Sequence, residues 1–553
     1  MNIFEHIRGQ ILELLSLYPK DALHKIAVEP PKDAAHGDIS TNAAMVLAKA
    51  ANRNPKQLAD DFKLLFKQID CVEEISIAGP GFINFRLKQK FLQDQLNIIT
   101  EMGQEYGVSD IGSGEKVNVE YVSVNPTGPL HIGHARGSVF GDVLANVLEK
   151  AGFEVTREYY VNDAGGQVDV LAKSALLRYQ GKEIPAGMYP GEYLIDVAKK
   201  MRAGLTENDL PEIKKFVIGE MMKIIRANLA SANIMHEVFT SEAEITAEGY
   251  VEEALKTLTE KGFIYQGVLE PPKGKAPDDW EPREQTLFRS TEFGDDMDRA
   301  IKKSDGSFTY FGGDLGYHLH KIRRGYTKLV NVLGADHAGY AKRVKAGVAA
   351  LSDGKVGIDV KLVALVKLLQ NGELVKMSKR GGNFIFIEEV IEEVGIDALR
   401  FIMLTRKNEI PLDFDLAKVV EQSKDNPVFY VQYAHARAHS VMRQAQAKDY
   451  ADADVALLKH PAELGLIKKL AEYPRVIEQA ALNYEPHRLA FYLQELAGEF
   501  HALWNIGTGD KTLRFITDDA DLSLARLLLV KALSVVIASG LAVLGVSAPE
   551  EMK

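Results

Sequence analysis

At 553 residues the chain is long enough for three or four domains of ~150 residues each, and its 46% hydrophobic and 26% charged content is that of an ordinary globular protein. The single cysteine, Cys71, excludes an intramolecular disulfide and a cysteine zinc cluster and suits a reducing cytosol. A net charge of -11 argues against a blanket electrostatic grip on nucleic acid, though it leaves room for local patches on one structured RNA.

The N-terminal stretch MNIFEHIRGQILELLSLYPK carries Glu5 and Glu13 among alternating polar and apolar positions, which predicts an amphipathic helix rather than a signal peptide. Residues 1–110 read as a separate α+β unit. Its segment PKDAAHGDISTNAAMVLAKAANRNPKQLADDFKLLF has helical stretches with a turn at NRNP, and CVEEISIAGPGFINFRL gives two short strands around AGPG. GVSDIGSGEK is a Gly/Ser-rich linker.

A period-2 strand follows from Lys116 to Val124, then the loop NPTGPLHIG. Val139, Phe140, Val143, Leu144, Val147 and Leu148 recur at helical spacing, Gly152 stops the helix, and EVTREYYV is a second strand. Strand, Gly-rich loop, helix, strand is a βαβ unit, so the fold class is α/β with a Rossmann-type doubly wound parallel sheet. The expected catalytic domain covers 111–168 and 294–395, split by a mostly helical insertion over 169–293 that includes the polar stretch EPPKGKAPDDWEPREQ. KLVALVKLLQNGELVKMS predicts a hairpin turning at Asn371-Gly372. Residues 396–425 form a junction, and 426–553 read as an all-α bundle. The apolar run LLLVKALSVVIASGLAVLG near the C-terminus is interrupted by Lys531 and predicts a buried helix rather than a membrane span.

Two motifs carry chemistry. The first is His131, Gly133 and His134 in NPTGPLHIGHARG. Open α/β sheets bind ligands at the carboxyl ends of their strands, and the N–H groups opening the next helix suit phosphate. Gly133 has no Cβ, so a flat base has access to the backbone, and the imidazoles can donate to phosphoryl oxygens as charge develops. The alternative is a plain helix start with one buried and one exposed histidine. The second motif is KMSKRGGN, where Lys376, Lys379 and Arg380 crowd a loop ending in glycines. Such a loop can carry cations onto a polyphosphate; its alternative is a solvated basic turn.

HIGH followed by KMSKR resembles the paired signatures of class I aminoacyl-tRNA synthetases. EYVSVNPTGPLHIGHARG, YYVNDAGGQ, TYFGGDLGYHLHK, GADHAGYAKR, VKMSKRGGNF, DALRFIML, FYVQYAHAR and the terminal GVSAPEEM are similar, in order, to segments of arginyl-tRNA synthetases. The resemblance implies that ATP is held by His131, Gly133, His134, Lys376, Met377, Ser378 and Lys379, with His131, His134, Lys376 and Lys379 as the catalytic set. It implies that Ser123, Asn125 and His134 hold the amino-acid end of arginine and that Tyr310 and Asp314 grip its guanidinium. His337 stands near the α-amino group, where some relatives have Gln. Arg380 replaces the Ser of the class pattern, and Val124 replaces a Pro of some relatives. A guanidinium presents a planar fork of donors, which a buried carboxylate can accept in pairs; Glu120 is a second candidate carboxylate, its alternative being an outward strand residue. The alternative for Asp314 is a helix N-cap in GGDLGYHL. Asn162, Asp163 and Gln167 are expected near the site, and Asp336 either holds ligand or caps a helix.

The resemblance further implies L-arginine, ATP with Mg²⁺ carried on it, and tRNA(Arg) as partners, with no protein-bound metal site. It implies tRNA-dependent activation, an N-terminal domain touching the tRNA elbow, and a C-terminal bundle reading the anticodon. Tyr433, Trp504 and Met552 are the candidate base contacts, with core packing as the alternative for the aromatics. The expected protein is cytoplasmic, monomeric and free of membrane. Three rivals stand beside this reading: a class I synthetase for another amino acid such as cysteine, a small-molecule nucleotidyltransferase with a HIGH-type loop, and a non-catalytic RNA-binding relative. The Tyr310/Asp314 pair, the ~125-residue terminal bundle and the retained histidines and lysines oppose them in turn.

Overall fold

The computed structural model describes residues 2–269, 283–337, 339–375, 385–446, 450 and 452–552. Its N-terminal unit opens on the expected helix, Ile3–Leu14, capped by Asn2, which accepts from Phe4 N at 3.0 Å. Ile3, Phe4, Ile7 and Ile11 form its buried stripe. A four-stranded antiparallel sheet follows in the order Val28–Glu29, Ile39–Thr41, Phe82–Leu87, Val72–Ala78. The last two are the strands expected around AGPG. Ile39–Thr41 is a strand inside the segment read for its helical stretches: three residues are too few to show a period. Helices Ala43–Ala51 and Pro55–Leu65 meet at Asn52, whose φ of 49° ends the first, while Asn54 caps the second.

The central domain begins with strand β1 (Lys116–Glu120) and helix α1 (Ile132–Lys150). Strand β2 (Glu154–Val161), helix α2 (Leu210–Ser231), strand β3 (Val238–Ser241) and helix α3 (Glu242–Ala247) complete one wing. Helix α4 (Tyr310–Arg323), strand β4 (Lys328–Gly334), helix α5 (Tyr340–Ser352) and strand β5 (Gly357–Val363) form the other. All five strands are parallel, in the order β5-β4-β1-β2-β3. The chain winds outward from β1 to β3 and then returns to β4, so the topological switch point lies between β1 and β4, where such sheets open a crevice.

Three details depart from the sequence reading. β1 stops at Glu120 rather than Val124. The segment expected to be a mostly helical insertion supplies β3, an edge strand of the main sheet, and two strands of a separate antiparallel sheet, Ile264–Gly267 and Gln285–Phe288, with Arg299–Lys302 as the third. KLVALVK is divided between two sheets: β5 ends at Val363, and the hairpin proper is Val366–Gln370 with Glu373–Leu374, turning at Asn371 (φ 53°) and Gly372 (φ 83°).

Helix α6 (Ile396–Ile402) leads to a helical bundle that includes α7 (Pro427–Ala445), α8 (His487–Gly509) and α9 (Ala520–Leu544). Among the described residues α9 is the one helix long and apolar enough to cross a membrane, and it is largely buried inside the protein. Arg400 of α6 ties bundle to catalytic domain. It is fully buried and donates to Asp142 Oδ2 of α1 (2.5 Å), to Leu544 O at the end of α9 (2.8 Å), and to Ala232 O and Asn233 O just beyond α2 (2.8 and 3.1 Å). Gly545, at φ +66°, leaves room for this guanidinium, since a Cβ there would stand 2.4 Å from Nη2. Asp397, one turn earlier, accepts from Ser547 N at 2.9 Å and from Gln432 of α7 at 2.8 Å. Replacing Arg400 by Met strands Asp142 as a buried, unpaired charge. Loss of about 3–5 kcal/mol of stability is expected, read as a lowered thermal midpoint, with partial recovery when Asp142→Leu is added.

Candidate active site

Beyond β1 the backbone turns sharply. Val122 and Ser123 both lie in the left-handed region, at φ 69° and 41°. For a β-branched residue this conformation is strained, at about 1–3 kcal/mol per residue, and it persists only where the surroundings dictate it. Here they do. Ser123 Oγ accepts from Tyr160 N (3.0 Å), Asn162 Nδ2 donates to Ser123 O (3.4 Å), and the Tyr159 hydroxyl donates to Val124 O (2.7 Å). His236 packs on the Tyr121 ring at 4.1 Å and bonds Tyr121 O through Nε2 at 3.3 Å. Burial pushes His236 down to about 4, so it is neutral and donates Nε2–H. Asn125 is anchored by Gln167, at 2.9 Å. The YVNDAGGQ segment thus buttresses the loop: Asp163 accepts from Ser241 Oγ (2.6 Å) and Ala243 N (2.9 Å), fixing the start of α3.

His131 is the N-cap of α1. Its Nδ1 accepts from Gly133 N at 3.1 Å, while His134 Nδ1 accepts from His131 N at 3.2 Å, a reciprocal capping box. The two rings stack with centroids 3.7 Å apart, and both are partly buried rather than one in and one out. Gly133 has an internal reason for lacking a side chain, since a Cβ would stand 2.9 Å from His131 Cε1. The site thus begins at a helix N-terminus suited to phosphate. Lys376, Met377, Ser378, Lys379 and Arg380 lie outside the described residues. The chain on either side of them is fixed. Ile132 N donates to Ile385 O (3.1 Å), Ile387 N donates to Leu130 O (3.0 Å), and His131 pairs with Phe386 as an isolated antiparallel bridge. The segment that follows the second motif therefore lies against the first.

The crevice is acidic. Thr309, not Asp314, caps α4, accepting from Gly312 N at 3.2 Å. Asp314 lies a turn further in, four residues from Tyr310 and hence on the same face. Tyr310 is 77% exposed at the helix mouth. Burial, with Glu120 and Glu242 nearby, pushes the Asp314 carboxyl up to about 7, against the pull of a hydrogen bond from the Tyr340 hydroxyl and, more weakly, of Arg343. Glu242, the first residue of α3, is likewise raised, by burial and then by Asp163. Among the described residues neither Asp314 nor Glu242 forms an ion pair. Tyr160, stacked on Tyr317 at 4.0 Å, stands among these carboxylates; burial first, then Glu242, Asp314 and Glu120, holds its hydroxyl far above the ordinary range. Glu242 was not found from the sequence, where SEAEIT reads as a helix start and nothing signals that its first carboxylate faces α4.

Glu120 is not an outward strand residue. It is 5% exposed and pairs through Oε2 with Lys321 Nζ at 2.6 Å. Its charge adds to the field at Asp314, but one oxygen is committed to an internal cation. His337 stands exposed in the turn after β4, 3.7 Å from Asp336. Asp336 makes no cap: α5 starts at Gly339 with no side-chain cap. In the bundle, Arg437 lies between the rings of Tyr433 and Trp504, at 4.4 and 4.6 Å, and Phe429 stacks on Tyr433 at 5.6 Å. Tyr433, Arg437 and Trp504 are all partly exposed, while Trp504 also packs on the buried Phe500 and Phe515 and Tyr433 on the buried His501, so the stack joins the surface to the core. The C-terminal tail lies along the same helix α7, with His435 Nδ1 bonded to Pro549 O (2.9 Å) and Arg443 facing Glu551 (3.4 Å). Met552, on that tail, is partly buried.

Comparison with known proteins gives the same site a lineage. Residues 2–87 match the family described as arginyl tRNA synthetase N terminal domain, 96–440 match tRNA synthetases class I (R), catalytic domain, and 431–552 match DALR anticodon binding domain. Arginine–tRNA ligases of Parvibaculum lavamentivorans and Roseobacter denitrificans are 53% and 52% identical over the whole of both chains. Thermus thermophilus arginyl-tRNA synthetase shares the fold, with a TM-score of 0.79 at 22% identity over 99% of each chain. With a doubly wound sheet, a HIGH-type helix start and an acidic crevice at its switch point, the chain belongs to the arginyl-tRNA synthetases, the class I ligases that charge tRNA with arginine.

Proposed function

We propose that L-arginine lies in the β1/β4 crevice with its guanidinium against Asp314, Glu242 and the Tyr310 hydroxyl, and its amino-acid end against Ser123, Asn125 and His337. Glu120 supports the negative field from behind. The observation that carries this reading is the pair of carboxylates, Asp314 and Glu242, both raised by burial and by neighbouring acids and neither ion-paired within the described chain. A planar cation with a fork of donors completes such a pocket. The neutral carboxyl that a raised pKa favours becomes an ionised acceptor once that cation arrives.

ATP takes the α1 end of the crevice. The helix N-terminus and the stacked His131 and His134 face its phosphates, Gly133 lies beside the adenine, and Mg²⁺ travels on the phosphate oxygens. The arginine carboxylate attacks the α-phosphorus; the bond from the α-phosphorus to the α,β-bridging oxygen breaks, the β- and γ-phosphates leave as pyrophosphate, and arginyl-adenylate remains. Lys376, Met377, Ser378 and Lys379 are the ATP-binding residues that the family resemblance implies, with the two lysines and the two histidines neutralising charge that develops in the transition state. The 2′-hydroxyl of the terminal adenosine of tRNA(Arg) then attacks the arginyl carbonyl, and AMP leaves. The Tyr433–Arg437–Trp504 stack offers flat faces to unpaired anticodon bases, and Met552 on the C-terminal tail is a further candidate contact. The protein acts as a cytoplasmic monomer.

Arginine-dependent ATP–pyrophosphate exchange, run with and without tRNA, tests the reaction. Absence of exchange with arginine-accepting tRNA present would overturn it. Asp314→Ala is expected to raise the KM for arginine on the order of 100-fold, the equivalent of a charge-assisted hydrogen bond of about 3 kcal/mol, with the KM for ATP unchanged. Equal rises in both would make Asp314 structural. Lys379→Ala is expected to lower kcat while arginine binding persists, the signature of a contact made in the transition state. Tyr433→Ala or Trp504→Ala should raise the KM for tRNA about 10-fold or more and leave exchange kinetics for arginine alone.

A further inference from the structure

The insertion between the two wings reaches into the amino-acid side of the site. Its helical lobe is built on helices Gly166–Tyr179, Tyr193–Lys199 and α2, around a core that includes Leu171, Leu194, Val197 and Val217. Tyr193 stands at the edge of that core, partly buried, and points its hydroxyl out of the lobe to donate to Thr127 O at 2.7 Å. Thr127 is the middle of the turn that carries Asn125: its own N–H donates to Asn125 O at 2.7 Å. Two glycines shape the approach. A Cβ at Gly128 would stand 3.2 Å from the Tyr193 hydroxyl, and a Cβ at Gly191 would stand 2.0 Å from its ring. Five residues beyond Asn125 the lobe holds the loop again, with buried Asn228 of α2 accepting from Leu130 N at 2.9 Å.

We propose that Tyr193 is a positioning residue for arginine activation: its hydroxyl fixes the Thr127 carbonyl and so holds Asn125 at the amino-acid end of the substrate. Between Ser123 and Leu130 the loop belongs to neither β1 nor α1. Its strained start is clamped by β2, its end is clamped by Asn228, and its middle is held by Tyr193 together with the Asn125–Gln167 bond. Releasing the middle leaves the histidines capped on α1 and loosens Asn125 alone. The tyrosine hydroxyl is well suited to this, since burial keeps it protonated and therefore a donor throughout the working pH range. A positional error of about 1 Å is enough to lower a rate on the order of 100-fold, so a single lost anchor is measurable.

The inference rests on the assignment of Asn125 to the amino acid, and the test separates the two. Tyr193→Phe keeps the ring and removes the anchor. In arginine-dependent pyrophosphate exchange it is expected to raise the KM for arginine about 5–10-fold and to leave the KM for ATP and the thermal midpoint at wild-type values. Gly128→Ala, which pushes the ring from its place, should reproduce that arginine-selective change. Wild-type kinetics in Tyr193→Phe, or equal rises in both KM values with a lowered midpoint, would overturn the positioning role. Asn125→Ala is run in parallel. If it raises the arginine KM while Tyr193→Phe does not, only the role of Tyr193 falls. If Asn125→Ala leaves the arginine KM unchanged, the assignment of Asn125 and this inference fall together.

Discussion

Removing a charged group from water costs several kcal/mol unless partners replace the solvent, and the catalytic domain treats its buried charges in two opposite ways. Two of its guanidinium groups, Arg400 and Arg136, are enclosed and richly met. Arg400 has a carboxylate and three carbonyls from three other segments. Arg136, on the first turns of α1, donates to the carbonyls of Ala364, Met403, Arg406, Lys407 and Ile410, and burial lowers it to about 10. At the switch point the reverse holds. Asp314 and Glu242 stand without an ion-pair partner among the described residues, and burial together with Glu120 and Glu242 drives Asp314 upward. The acidic groups without an ion-pair partner thus stand at the place where a doubly wound sheet binds its ligand, and a guanidinium is the cation proposed to answer them.

Helix α1 couples these features. Its first turn presents the stacked histidines, its second carries Arg136 into the carbonyl cage that closes the junction after the hairpin, and Asp142 in its middle holds Arg400 and through it the end of α9. The backbone pairing of Leu130–Ile132 with Ile385–Ile387 then fixes the exit of the second signature loop beside the first. The HIGH turn, the segment after the second signature loop and the C-terminal bundle are therefore all bonded to one helix.

Much of this was legible in the sequence where the signal was long or chemically specific. The βαβ unit showed through period-2 and helical spacing over some forty residues, and Asn371-Gly372 fixed a hairpin because few residues tolerate its backbone. The Tyr310/Asp314 pair showed through the family resemblance, and α4 carries the two residues four apart on one face. What failed to show has physical reasons. YVSV reads as strand by composition, and the left-handed turn at Val122-Ser123 exists only because Tyr160, Asn162 and Tyr159 impose it. β3 has four residues, three of them half-exposed, too short to stand out within a helical segment. DALR carried no visible chemistry because the partners of Asp397 and Arg400 are remote in sequence. Glu242 and Lys321 were missed for the same reason: one turned a helix start into a wall of the pocket, and the other claimed an oxygen of Glu120.

The central claim is that the arginine pocket holds a carboxyl, Asp314, whose pKa near 7 falls when a guanidinium arrives. In the free protein the group is mostly protonated below that pH and ionised above it; in the complex it stays ionised. Arginine binding should therefore release a proton at pH 6 and not at pH 8.5, and affinity should rise with pH up to about 7 and then level. Titration calorimetry with arginine at pH 6, in buffers of different ionisation enthalpy, measures that proton directly. The account predicts a net release in the wild-type protein that disappears in Asp314→Asn. Binding with no proton release at pH 6, and with an affinity flat from pH 5.5 to 8.5, would contradict it.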